Sequence, residues 1–187
     1  MASYKAKALN TCCEATGRVE QFLEQVARRG SWFGGGSASA LSTALSAALL
    51  EKLTPSSTMR RRLSRIRRAC VPLIERDAIL FARVIEAMQA EHRGDFERAL
   101  KAATDVPCQV FEHAHAIQAA CRTAARTISR KFQADVTCAR ALAVAAGAGA
   151  RALIETNLAW LKDANYTKQI QRRLRSAQQH ASSGSHE

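Results

Sequence analysis

Apolar side chains recur every three or four residues along nearly the whole chain, and this spacing restricts it to packed helices. The clearest stretch carries Leu63, Ile66, Cys70, Leu73 and Ile74. Only three prolines occur in 187 residues. Many of the apolar residues are alanine, which favours helices that approach one another closely. The sequence therefore predicts an all-α fold, a single-domain bundle of about five to six helices.

Turn and cap signals divide this pattern. We predict helices, to within a few residues at each end, over 9–29, 37–53, 58–90, 95–128, 135–164 and 166–179. Ser37 and Asp135 stand where N-caps belong. Pro72 and Pro107 are expected to bend or divide the two longest helices, because proline removes an amide donor and crowds the preceding turn. Residues 1–181 then form one domain, and 182–187 a disordered tail.

The charge balance is strongly basic. The net charge is +12, from 28 Lys plus Arg against 16 Asp plus Glu, with arginines grouped at 60–68 and 172–173. Such an excess favours an anionic partner, which could be nucleic acid, an acidic membrane surface or a polyanionic metabolite. The simplest alternative is a solvated, arginine-rich face. Nucleic acid is disfavoured because no aromatic residues interleave with the arginines, as they do on platforms that stack single strands.

The cysteines and histidines do not predict a metal site. The six cysteines show no ligand spacing, and three stand beside alanine or valine, as small core residues do. His113 and His115 are two residues apart and point to different sides of a helix. The amino terminus has no apolar signal core, and no stretch approaches 18 uninterrupted apolar residues. We therefore expect a reduced, cytoplasmic protein with no metal, no other cofactor and no membrane partner.

Polar residues break the apolar stripes at two positions. The stripe of the third helix continues from Ile74 to Asp77, where a carboxylate is costly unless it is paired, hydrogen-bonded or protonated. Asp77 is therefore either a core residue held by an arginine or a helix end, or an acid/base group with a shifted pKa. The stripe of the fifth helix reaches Asn157, a second polar group on a packing face.

A glycine-rich segment, Gly34-Gly35-Gly36-Ser37, opens the second helix. Such a start presents unpaired amides and the positive end of the helix dipole to an anion or a polar ligand atom. It matches neither the dinucleotide fingerprint nor the P-loop, since no strand precedes it and no lysine follows the glycines. The segment is a candidate small-molecule site, and a tight turn between helices is the alternative.

Taken in order, these segments resemble the cyclodeaminase/methenyltetrahydrofolate cyclohydrolase family, which includes the cyclodeaminase half of formiminotransferase-cyclodeaminase. The resemblance extends over roughly residues 20 to 173. Its motifs are Phe22-Leu23, the GGGSASAL segment from Gly34, Arg76-Asp77-Ala78 with Phe81, Ala134-Asp135-Val136 and Thr156-Asn157-Leu158. The chain differs from the family pattern at Phe33, where proline is usual, and at 131–134, where a Gly-Asn pair is absent.

The resemblance implies an all-α homodimer that takes a tetrahydrofolate derivative as its substrate and needs no further cofactor. It implies Asp77 and Asp135 as an acid/base pair. It also implies that the folate site is shaped by Gly34, Gly35, Gly36, Ser37 and Asn157.

We expect hydrolysis of 5,10-methenyltetrahydrofolate to the 10-formyl form, because the sequence contains no formiminotransferase domain. A carboxylate suits this reaction, since water must lose a proton as it attacks the cationic bridge carbon. One alternative is a formiminotetrahydrofolate cyclodeaminase, which releases ammonia. Others are a catalytically degenerate folate-binding relative and a basic helical nucleic-acid-binding protein.

Overall fold

The computed structural model of the protein describes residues 17–90 and 92–183. Within these ranges the chain is helical and contains no strand. A first helix, α1, covers residues 17–27, and a short 3₁₀ turn spans Arg130–Phe132. The remaining helices are α2 (Gly35–Leu53), α3 (Ser57–Gln89), α4 (Arg93–Thr127), α5 (Gln133–Leu161) and α6 (Ala164–Ser183). The predicted all-α bundle is confirmed.

The central helix is α2, which packs against α3, α4 and α5. Small residues allow α2 and α5 to approach closely, since a Cβ atom on Gly149 would lie only 2.7 Å from Ser39 Oγ. The buried Ser46 hydroxyl donates to the Ala139 carbonyl at 2.5 Å, so the polar group is satisfied by the backbone of α5. This packing fixes the N-terminal end of α2 beside the C-terminal half of α5.

Both predicted N-caps are wrong. Helix α2 begins two residues before Ser37 with Gly34 as its N-cap, and no side chain of its own caps it. The Ser37 hydroxyl bonds to α3 instead. Asp135 lies inside the first turn of α5, whose N-cap is Phe132. The 3₁₀ turn leads directly into α5, so this helix also begins earlier than the cap signal indicates.

The two internal prolines do not divide their helices. Helix α3 continues through Pro72 and α4 through Pro107. An interior proline costs about 3 kcal/mol relative to alanine in an isolated helix. Tertiary packing outweighs this cost, because both helices pack against α2 and against each other, and Pro107 itself is fully buried.

Three cysteines are small core residues, as predicted. Cys70, Cys108 and Cys121 are buried, and burial raises the pKa of the Cys70 thiol to about 12. Cys138 differs, because it is exposed on α5. Cys12 and Cys13 lie outside the described residues, as do the predicted start of the first helix and residues 184–187 of the predicted tail. Helix α6 extends into that tail as far as Ser183.

Helix α5 combines high apolar content with low burial. The stretch Arg130–Leu161 is long and apolar enough to cross a membrane by length and composition, although a core helix can pass the same test. Only 33% of its most apolar window is buried within the protein. Helix α5 therefore leaves a largely uncharged face uncovered by the described chain.

Candidate active site

Asp77 is brought to the N-terminal end of α2 by the packing of α3 against it. The backbone N–H of Ser37 donates to Asp77 Oδ2 at 2.9 Å. This N–H belongs to the first turn of α2, where the helix itself offers no acceptor. Because Gly34 supplies no capping side chain, Asp77 provides the missing cap from α3. The helix-end alternative for Asp77 is therefore realised in the structure.

Gly36 is needed where the Asp77 carboxyl meets α2. A Cβ atom at this position would lie within 2.5 Å of the carboxyl carbon and both carboxyl oxygens. The adjacent Gly35 is much less confined, since its Cβ would meet only Leu153 methyl groups at 3.9 Å and beyond. The third residue of the glycine run thus allows the carboxyl to lie directly on the helix backbone.

The surroundings of Asp77 make its carboxyl easier to protonate than that of an exposed aspartate. Burial raises the pKa of the Asp77 carboxyl above its ordinary value, and hydrogen bonds from Ser37 oppose part of this increase. The Ser37 hydroxyl donates to the Ile74 carbonyl at 2.8 Å and also lies 3.2 Å from Asp77 Oδ2. The Ser37 hydroxyl thus shares its one proton between the Ile74 carbonyl and Asp77, which limits how far it favours the ionised carboxyl.

Asp77 lines a cavity of about 210 Å³ where α2, α3, α4 and α5 meet. The glycine segment forms one side, and Leu153 and Asn157 of α5 form another. Leu100 and Pro107 belong to the α4 side. The N-terminal end of α2 therefore borders a mostly apolar cavity that contains one carboxyl group with a raised pKa. This combination is common in enzyme active sites.

Three partly exposed aromatic residues flank this cavity: Trp32, Phe81 and Trp160. Trp32 and Phe81 contact edge to face, with ring centroids 6.2 Å apart. Trp32 and Trp160 are 47% and 49% exposed, although large aromatic residues usually bury most of their surface. Sequence reasoning missed Trp32 and assigned Trp160 only to a packing stripe. Trp32 lies just before the glycine segment in the chain, and Trp160 lies just after Asn157. This closeness to two predicted site features was the signal that could have identified both tryptophans.

The structure brings most of the predicted site residues together within the chain. Asp77, Gly34, Gly35, Gly36 and Asn157 line the same cavity. Ser37 is fully buried and does not line the cavity. Its backbone N–H donates a hydrogen bond to the Asp77 carboxyl instead.

Asp135 lies far from this cavity. It precedes Asn157 by 22 residues along α5, which is about 33 Å of helix axis. The carboxyl pair implied by the resemblance is therefore not assembled within one copy of the chain.

A larger cavity, of about 670 Å³, lies between α3, α4 and α6. Its wall carries three charged residues, Arg62, Glu112 and Arg173. Arg173 is paired with Glu112 in a bidentate contact and with Asp105 at 2.7 Å. None of the predicted site residues lines it. Across residues 17–90 and 92–183, no group of three His, Cys, Asp or Glu side chains is placed to hold a metal ion. The smaller cavity is therefore the better candidate.

Comparison with known proteins agrees with this choice. The family model described as formiminotransferase-cyclodeaminase matches residues 18–176, most of the chain and every residue of the cavity. The chain belongs to the formiminotransferase-cyclodeaminase family. The expectation of an enzyme acting on folate derivatives is thereby confirmed at the level of the family. No curated protein sequence matches the chain.

A solved structure supports the fold. The chain resembles the crystal structure of a formiminotetrahydrofolate cyclodeaminase from Thermotoga maritima, with a TM-score of 0.76 and 21% sequence identity. The likeness covers 88% of this chain and 90% of that chain. The two proteins therefore share the helical fold over nearly their whole length.

Proposed function

We propose that this protein is a formiminotetrahydrofolate cyclodeaminase in which Asp77 is the proton donor. The observation that carries the proposal is the Asp77 carboxyl, which lies in an aromatic-flanked cavity and has a raised pKa. The family match and the name of the structural relative favour this activity over the hydrolysis expected first from the sequence. Deamination also makes better use of a protonated carboxyl group than hydrolysis does.

The reaction requires proton transfer at two nitrogens. N10 attacks the formimino carbon attached to N5, and a new C–N10 bond forms as the C=N bond becomes single. The former imine nitrogen must gain protons, and N10 must lose one, before the C–NH₃⁺ bond breaks. The products are ammonia and the 5,10-methenyl cation. A carboxyl with a raised pKa can protonate the departing nitrogen, and its carboxylate form stabilises the resulting cation.

The aromatic residues suit the flat part of a folate. Trp32, Phe81 and Trp160 offer ring faces and edges against which a pterin ring can pack. A volume of about 210 Å³ is below the range of about 300–1,000 Å³ found for pockets that enclose drug-sized ligands. In this proposal the pterin end enters the cavity, and the aminobenzoyl and glutamate parts extend outward from it. Gly34, Gly35, Gly36 and Asn157 form the walls.

Hydrolysis of 5,10-methenyltetrahydrofolate is the second candidate for the same site. The partly exposed aromatic residues leave the cavity open to water, which could attack the bridge carbon of the cation. The water would then lose a proton to the Asp77 carboxylate. The proposal also includes a homodimer, in keeping with the family resemblance.

The test uses 5-formiminotetrahydrofolate with purified protein, and follows both ammonia release and the absorbance of the methenyl product. We expect turnover by the wild type and a loss of about 10²- to 10⁴-fold in kcat for Asp77→Asn. Asparagine retains an oxygen that accepts from the Ser37 N–H, so the cap of α2 is kept while the acid is removed. Asp95→Asn makes the same substitution at an exposed carboxylate on α4 and serves as the control.

The other outcomes separate the alternatives. Decay of added methenyltetrahydrofolate without ammonia release from the formimino substrate would favour the hydrolase. Saturable folate binding without either reaction would identify a degenerate relative. Salt-sensitive binding to DNA or RNA with no folate binding would favour the nucleic-acid alternative. Full deaminase activity in Asp77→Asn would contradict the role of Asp77 as proton donor and leave it only the role of capping α2.

A further inference from the structure

The larger cavity, of about 670 Å³, is an open groove with a floor of small side chains. Helices α3 and α6 both pack against α4 and form the two walls of the groove. Met59 of α3 and Ala177 of α6 continue the apolar surface onto these walls. The floor is the side of α4 that carries Ala116, Ala119, Ala120 and Thr123. Small side chains of this kind allow another helix to approach α4 closely.

The length of the groove suits a short helix. Eleven residues separate Glu112 from Thr123 along the floor, which is about 16 Å of helix axis, or three turns. The walls are helices whose backbone groups are bonded within each helix, so they offer no edge to which an extended peptide could add as a strand. A helix needs no such edge, because it satisfies its own backbone groups.

The rim of the groove carries unpaired positive charge. Arg62 of the α3 wall is exposed and makes no hydrogen bond or ion pair with any described residue. Glu112, the carboxylate on the wall, is already bound by Arg173. Three further exposed arginines also lack a partner among the described residues, and each lies three or four residues from a wall residue, on the same side of its helix: Arg65, Arg126 and Arg172.

This rim belongs to a division of charge along the bundle. The stretches that form most of the groove are residues 57–74 of α3, 113–127 of α4 and 164–183 of α6. Together they contain twelve Lys or Arg residues and no Asp or Glu. The parts of α3 and α4 that border the smaller cavity carry both signs of charge. Like charges gathered at one end of a protein repel one another, and an anionic partner relieves this repulsion.

We infer that the groove docks an acidic amphipathic helix of another protein. Its small or aliphatic side chains lie on the alanine floor, and its Asp and Glu side chains pair with the arginines of the rim. Arginine and methionine are enriched where proteins meet, and an apolar centre inside a polar rim is typical of such surfaces. A nucleic acid would pair its phosphates with the rim and leave the apolar floor unused. The groove is separate from the folate cavity, so this inference does not depend on the proposed activity.

A designed peptide tests the docking. The probe is a fluorescently labelled helix of about 14 residues, with leucine and alanine at helical spacing on one side and glutamate on the others. We expect a saturable increase in fluorescence anisotropy with Kd below about 100 µM. A peptide of the same composition, shuffled so that it has no apolar side, is the control and should bind at least about tenfold more weakly. No saturable binding, or equal binding of the shuffled peptide, would overturn the inference.

Two variants test the two parts of the groove separately. Arg62→Glu reverses a charge on the rim, and Ala119→Phe places a ring on the floor; each should weaken peptide binding at least about tenfold. Arg83→Glu makes the same charge change at an exposed position near the other end of α3. Ala125→Phe adds the same ring at an exposed position of α4 outside the groove. Wild-type affinity in either groove variant, with the fold checked by circular dichroism, would refute the docking mode.

Methionine methyl groups report where the peptide binds. The protein has three methionines. Met59 lies in the groove, whereas Met88 is exposed near the other end of α3. With ¹³C-methyl-methionine, the peptide should shift the Met59 signal and leave the Met88 signal in place. A peptide that binds without shifting Met59 would place the contact elsewhere and contradict the inference.

A DNA duplex distinguishes the remaining anionic partner. A duplex of about 14 base pairs is titrated under the same conditions and then used to compete with the peptide. We expect it to bind more weakly at physiological salt, with a steep loss of affinity as salt rises and no shift of Met59. A duplex that binds as tightly as the peptide and displaces it would identify the groove as a nucleic-acid site, and the inference would be wrong.

Discussion

Replacing Gly36 with alanine should inactivate the protein while leaving it folded. The added Cβ would lie within 2.5 Å of the Asp77 carboxyl atoms, and ordinary contact begins near 3.4 Å. The carboxyl must therefore move by about 1 Å, and a displacement of about 1 Å in an active site can cost about 100-fold in rate. Alanine is also the better helix former by about 1 kcal/mol, which offsets part of the strain.

The assay compares kcat and KM for release of ammonia by Gly36→Ala and Gly35→Ala, with circular dichroism to check folding. The Gly35 variant adds the same methyl group one residue earlier, where the nearest atom is 3.9 Å away. We expect it to lose less than about tenfold in kcat. If folded Gly36→Ala keeps nearly wild-type kcat, the position of Asp77 against α2 is not what the reaction requires.

Three further predictions concern stability and binding. Asp77→Asn should be more stable than the wild type at neutral pH in urea unfolding. Because burial raises the folded-state pKa of Asp77, the wild type loses stability as pH rises through that pKa, and the difference should vanish below about pH 3.8. Addition of folate should change the fluorescence of the protein, since both of its tryptophans, Trp32 and Trp160, flank the cavity; the change should persist in part in Trp160→Phe. Gly149→Ala should lower the free energy of unfolding by about 1–3 kcal/mol, because the methyl group meets Ser39 where α2 and α5 are closest.

The sequence predicted the helices and the centre of the cavity because both depend on local periodicity. Asp77 and Asn157 were conspicuous as polar residues on apolar stripes, and the structure places both in the same cavity. Helix starts were less predictable. Ser37 looked like an N-cap, but the capping group of α2 comes from Asp77, a residue 40 positions later in the chain. A long-range cap of this kind has no local signature.

Asp135 shows a different limit of sequence reasoning. The family resemblance predicted Asp135 as the acid/base partner of Asp77. The position of Asp135 in α5 predicted only which side of the helix its side chain faces. Periodicity gives direction around a helix and not distance between helices. The expected pairing of Asp135 with Asp77 is therefore not something that the spacing of residues along the chain can specify.

The two roles of Asp77 depend on each other. Its hydrogen bond from the Ser37 N–H holds the carboxyl at the end of α2, and the same bond favours the ionised form. Burial opposes ionisation more strongly, so the pKa remains raised. A cap placed in water would lack the burial that retains the proton, and a buried carboxyl without the helix end would lack a fixed position. The close contact with Gly36 supplies both conditions at one point, because it brings the carboxyl to the helix end and shields part of it from solvent.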